Sequence, residues 1–86
     1  MNVFTSKKFD KMFKKCLQEI KEKFIERLKL FKDNKHSPII LNNHPLSGKL
    51  KGLRSINVSG DYRSIFEEKS GDIIFIAIGT HSQLYK

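Results

Sequence analysis

Four short polar clusters hold side chains of the kinds that move protons around a phosphate. They are His44-Pro45-Leu46-Ser47-Gly48, Gly52-Leu53-Arg54, Asp61-Tyr62-Arg63 and Gly79-Thr80-His81-Ser82-Gln83-Leu84-Tyr85. Metal-independent RNA cleavage needs such a set. A base takes the proton of the ribose 2′-OH, an acid protonates the departing 5′-oxygen, and cations hold the charge that gathers on the phosphate. Histidine suits the proton transfers because it changes charge near neutral pH. Arginine suits the phosphate because its planar fork matches the oxygens and stays charged.

On this reading His44 or Asp61 is the base and His81 the acid. Arg63, with Arg54 or Lys51, clamps the phosphate, and Lys49 adds a further cation for RNA. Tyr85, with Tyr62, stacks on a base or orients the substrate, since unpaired RNA is held on aromatic rings. A carboxylate beside cations is a weaker base, so Asp61 serves equally well as an orienting partner. Each residue also has a plain structural reading. His44 is a loop histidine, Asp61 a turn acid, Arg63 a solvent-facing strand arginine, His81 a tail histidine, and Tyr85 a ring covering the edge of the core. A metal centre is a poor fit, because His44 and His81 are far apart in sequence and lack close ligand spacing. No cofactor is expected, since the glycines are scattered turn glycines and form no phosphate loop.

The elements that must position these residues follow from periodicity. Residues 2–5 are short and β-prone and suit an edge strand, and Thr5 or Ser6 can cap a following helix. Phe9, Met12, Phe13, Cys16, Leu17 and Ile20 recur at helical spacing, continued by Phe24, Ile25, Leu28 and Phe31. No Gly or Pro interrupts residues 6–33. A single helix of that length would run about 40 Å, longer than a domain roughly 30 Å across, so a break is expected near residues 17–20, giving a helical hairpin. Residues 33–38 carry turn chemistry with a proline stop and place His36 in an exposed loop. Residues 39–51 read as a connection in which Pro45 biases His44 to an extended backbone. Strands are expected over 52–58, 61–68 and 73–78, with turns at Ser59-Gly60 and at 69–72, and residues 80–86 as a polar tail. The order β-α-α-β-β-β predicts an α+β fold, a small antiparallel sheet packed against the N-terminal helical hairpin, in one domain over residues 1–86.

Composition narrows the partners. The chain has 86 residues, 17 Lys and Arg against 9 Asp and Glu, and a formal net charge of +8. A domain this basic suits a polyanion or an acidic protein. Residues 1–40 carry eleven of the cations and 41–86 only six, so the helical half supplies a general field while the second half places its cations singly. Cys16 is the one cysteine and reads as a small buried hydrophobe. No stretch approaches the roughly 18 apolar residues of a membrane span, and the N-terminus lacks the apolar core of a signal peptide. A cytoplasmic protein is expected.

The His-Pro-Leu, Lys-Gly-Leu-Arg, Asp-Tyr-Arg and Gly-Thr-His…Leu-Tyr clusters, in this order and spacing, resemble the RelE/ParE toxin superfamily and within it the YafQ-type messenger-RNA interferases. The resemblance spans nearly the whole chain and is most specific from His44 to Tyr85. It implies a curved sheet with helices on one face, cleavage of mRNA on the ribosome, and neutralisation by a co-encoded acidic antitoxin. The toxin alone is then a monomer that forms a hetero-oligomer with the antitoxin. The resemblance places catalytic functions at His44, Asp61, His81 and Tyr85, an aromatic at Tyr62 and an arginine at Arg63. One position departs: relatives can carry a sheet histidine four residues before the acid, where this chain has Asn57. Two other functions are weighed against this one. They are a ParE-like toxin that inhibits DNA gyrase by binding, and a non-catalytic RNA-binding module.

Overall fold

A computed structural model describes residues 2–33 and 41–85. The turn and proline stop after Asp33, His36, and the apolar Ile39-Ile40 lie outside the described residues. The chain begins with strand β1 (Val3–Thr5). Ser6 then caps helix α1 (Lys7–Lys14), its hydroxyl accepting from the Phe9 N–H at 3.0 Å. Helix α2 (Gln18–Asp33) follows. Four more strands come next: β2 (His44–Pro45), β3 (Arg54–Ser59), β4 (Tyr62–Lys69) and β5 (Asp72–Thr80). A short 3-10 turn, Gly48–Leu50, joins β2 to β3, and a final turn of helix, α3 (His81–Leu84), closes the described chain.

The helical break falls at residues 15–17, at the early edge of the expected stretch. The Lys15 N–H reaches back to Met12 O and the Cys16 N–H to Phe13 O, which tightens and ends α1. The break resets the helical phase. Leu17 and Ile25, which fit the apolar stripe of a continuous helix, are instead 64% and 45% exposed. Phe9, Ile20, Phe24 and Phe31 remain buried.

The sheet order is β1-β5-β4-β3-β2. Strands β2 to β5 pair antiparallel, whereas β1 lies parallel to β5, so the sheet is mixed. Parallel neighbours need a long crossover, and here everything from α1 to β4 lies between the two strands. The expected edge strand is present, but its direction was set by this return path and not by its own residues. The β4–β5 turn uses Ser70 and Gly71, with φ of 54° and 84°. Two successive left-handed residues match the twist of a tight hairpin.

One face of the sheet packs on both helices. Phe9 of α1, Phe24 and Phe31 of α2, Phe66 of β4 and Phe75 of β5 form a connected set of rings with centroids 5.1–6.0 Å apart. Ile56, Val58, Ile73 and Ile78 complete this core. Each fully buried aromatic or branched chain contributes roughly 1.5–3 kcal/mol. That layer is the rigid floor on which the opposite face displays its polar residues.

Candidate active site

Strand alternation decides which residues meet on the open face. Residues directly opposed across a ladder share a face. His44 opposes Ser55, Ser55 opposes Ile65, and Asn57 opposes Arg63. Phe66, Ile56 and Val58 face the helices. The intervening residues His44, Ser55, Asn57 and Arg63 therefore stand on the side away from them.

On that side opens a cleft of about 370 Å³. His44 and Arg63 line it, joined by His81 and Tyr85 from the C-terminal turn and by Asn42, Leu46, Ser47 and Leu50 from the β2–β3 connection. His44 Nδ1 lies 2.6 Å from the Asn42 carbonyl oxygen. A carbonyl can only accept, so Nδ1 carries the proton, and in the neutral ring Nε2 is the free base. Arg63 Nη1 donates to Asn57 Oδ1 at 2.9 Å. Among the described residues no acidic side chain forms an ion pair with Arg63; the pairs are Lys23–Glu26 and Arg27–Glu26, on α2. The guanidinium's charge is thus available to an anion.

The C-terminal turn is held at several points. Thr80 and Gln83 form a reciprocal capping box, with Thr80 N–H donating to Gln83 Oε1 at 2.8 Å and Gln83 N–H to Thr80 Oγ1 at 3.3 Å. The His81 N–H donates to the backbone carbonyl of Asp61 at 3.0 Å. The Tyr85 ring lies 4.6 Å from the His81 ring, tilted by 55°. The segment that reads as a polar tail is therefore a capped turn that carries an imidazole and an aromatic ring into the cleft.

The structure brings His44, Arg63, His81 and Tyr85 together. The other candidates stand elsewhere. Asp61 is exposed at the β3–β4 turn, and its link to the site runs through its backbone carbonyl. Tyr62 is half-buried on the helix side, beside Met12, Cys16 and Gln83. Arg54 opposes Phe66 and so leaves the sheet on that face, where its Nε donates to Asn43 Oδ1 at 2.9 Å. Lys49 lies on adjoining surface next to Leu84 and Tyr85, and Lys51 is exposed after the 3-10 turn. Sequence reasoning missed Ser55, a buried residue that accepts from the Tyr85 hydroxyl, and Asn42, which lines the cleft. The position of Ser55 depends on strand register, which no local motif in the sequence announces.

A small mixed sheet with helices on one face and a histidine-bearing cleft on the other defines the class: an α+β domain with an open polar site. The profile described as "Bacterial toxin of type II toxin-antitoxin system, YafQ" matches residues 1–86. The chain belongs to that family. Three solved structures place the likeness. YafQ from Escherichia coli strain BL21(DE3) superposes with a TM-score of 0.84 at 24% identity, covering 99% of this chain and 98% of that one. YafQ in the Escherichia coli DinJ–YafQ toxin–antitoxin complex gives 0.80 at 25%, covering 99% and 97%. A metal-bound toxin from Helicobacter pylori gives 0.71 at 26%, covering 99% of each chain. No curated protein is matched by sequence.

Proposed function

We propose that this toxin is an endoribonuclease that cuts mRNA on the ribosome by 2′-OH attack. The observation that carries the reading is the pair of imidazoles, His44 and His81, lining one cleft with an un-neutralised Arg63. His44 Nε2 takes the 2′-OH proton. The 2′-oxygen then bonds to phosphorus as the P–O5′ bond breaks, and protonated His81 gives its proton to the leaving 5′-oxygen. The products are a 2′,3′-cyclic phosphate and a 5′-hydroxyl. Arg63 balances the extra negative charge on the phosphate in the transition state. Tyr85 offers a ring face to an unpaired base. Asp61 acts through its backbone, fixing the turn that presents His81.

One Helicobacter pylori relative is metal-bound. Among the described residues no group of three His, Cys, Asp or Glu side chains is placed to share an ion. The steps above use the chain's own groups. An acidic antitoxin is the protein partner, supported by the DinJ–YafQ complex and by the charge of +8. The proposed action on translating ribosomes implies a cytoplasmic toxin; separately, no helix among the described residues is long and apolar enough to cross a membrane.

The test is a cell-free translation reaction with purified toxin, followed by primer extension on the message. Discrete cuts within the translated frame support the reading. Intact message, with loss of gyrase supercoiling in a parallel assay, overturns it in favour of a binding-type toxin.

A further inference from the structure

We propose that Asn57 is a positioning residue for Arg63. It aims the phosphate-binding guanidinium into the cleft with a neutral acceptor that neither titrates nor cancels the charge. The inference rests on the reading of the cleft as a phosphate site. Asn57 and Arg63 are directly opposed on β3 and β4, on the face that carries the imidazoles. The register slips one position later along β3, between Asn57 and Ser59, so this is the last regular pair before the turn that bears Asp61.

Arginine only donates, so the atom facing Nη1 at 2.9 Å must be the amide oxygen of Asn57. One N–H is spent on that bond, and it is the one hydrogen bond given to the Arg63 side chain among the described residues. The fork's other donors remain for a phosphate. The residue type matters. A carboxylate at position 57 would orient the guanidinium but neutralise it. An imidazole would accept when neutral and repel when protonated, so its hold would change across the pH range in which histidine titrates. An amide does neither. The amide at position 57 thus holds Arg63 through a bond that does not depend on pH.

The test is a double-mutant cycle on single-turnover mRNA cleavage by the purified full-length toxin, with circular dichroism confirming the fold of each variant. Asn57→Ala is expected to lower the rate at saturation about 10- to 100-fold, the scale of a misplaced catalytic group. In an Arg63→Ala background the same change is expected to cost less than about twofold, because residues that act through one another are non-additive. Asn57→Asp keeps an acceptor but cancels the charge, so its loss should fall mainly on half-saturating RNA concentration. Equal losses from Asn57→Ala in both backgrounds, or wild-type RNA affinity in Asn57→Asp, would overturn the inference and leave the nuclease reading standing. A wild-type toxin that cuts nothing would overturn both.

Discussion

The Tyr85 hydroxyl donates to Ser55 Oγ at 3.1 Å, tying the C-terminal turn to strand β3 thirty residues upstream. Ser55 is fully buried on β3, so the bond satisfies a hydroxyl that water does not reach. It also fixes the ring that lies tilted against His81.

Tyr85→Phe removes the donor and keeps the ring. We expect it to cost about 1 kcal/mol, seen as a fall in Tm of roughly 4–8 °C for a domain this size. Cleavage should fall as well, because the turn carrying His81 loses an anchor. Ser55→Ala should cost less in the Tyr85→Phe background than in the wild type, and thermal unfolding of the four proteins measures that difference.

Gly79 tests the same turn from below. A Cβ there would stand 2.7 Å from Gln83 Oε1, the oxygen that closes the capping box, and 3.4 Å from Met12 Cε. Gly79→Ala should displace Gln83 and loosen α3. A lost cap costs about 1 kcal/mol. Because α3 presents His81 and Tyr85, cleavage should fall by more than stability alone explains. Gln83→Ala, which removes the same cap without adding bulk, should reproduce part of the loss.

Much of this architecture was legible in the sequence, and the reasons are physical. The apolar run 73–78 suits a central strand, although its periodicity alone also allows a buried helix, and it lies in β5 between β1 and β4. A helix of 28 residues could not fit a domain measuring 30 × 29 × 25 Å, so a break was required. What the sequence left open depended on pairing at a distance. The parallel direction of β1 follows from the return path of the chain. The faces of Arg54 and Tyr62 follow from register, where a shift of one residue exchanges the two sides of a strand. Asp61 and His81 were both visible as candidates, but only the fold shows that a backbone bond joins them.

Asp61 accordingly makes a sharp comparison with the histidines. Asp61→Asn keeps the backbone carbonyl that holds the His81 N–H. Its cleavage rate should fall by less than about tenfold, against ~10²–10⁴-fold for loss of a positioned acid–base group such as His44. Parallel single-turnover assays of Asp61→Asn and His44→Ala distinguish the two.

Cys16 supplies a pH prediction outside the cleft. Burial pushes its thiol up and nearby Lys21 draws it partly back; the Sγ–H also donates to the Met12 carbonyl at 3.4 Å. The folded state therefore favours the neutral thiol. Its stabilising contribution is complete below the ordinary thiol range, about 8.5, and is lost as pH rises through and above that value, since the unfolded chain ionises first. At pH 8 Cys16 should alkylate more slowly in the native protein than in urea, and a mass-spectrometric time course with iodoacetamide measures the ratio.

The central claim is nucleophilic attack by the 2′-OH with His81 as acid, and the chemistry of the cut ends tests it most directly. Purified toxin, freed of metal by EDTA and dialysis, is added to ribosomes programmed with a defined message, and the 3′ ends of the upstream fragments are analysed by mass. The account predicts a 2′,3′-cyclic phosphate from the wild type and no such product from His81→Ala over the same time. A 3′-hydroxyl end, or undiminished cyclic phosphate from the variant, would contradict it.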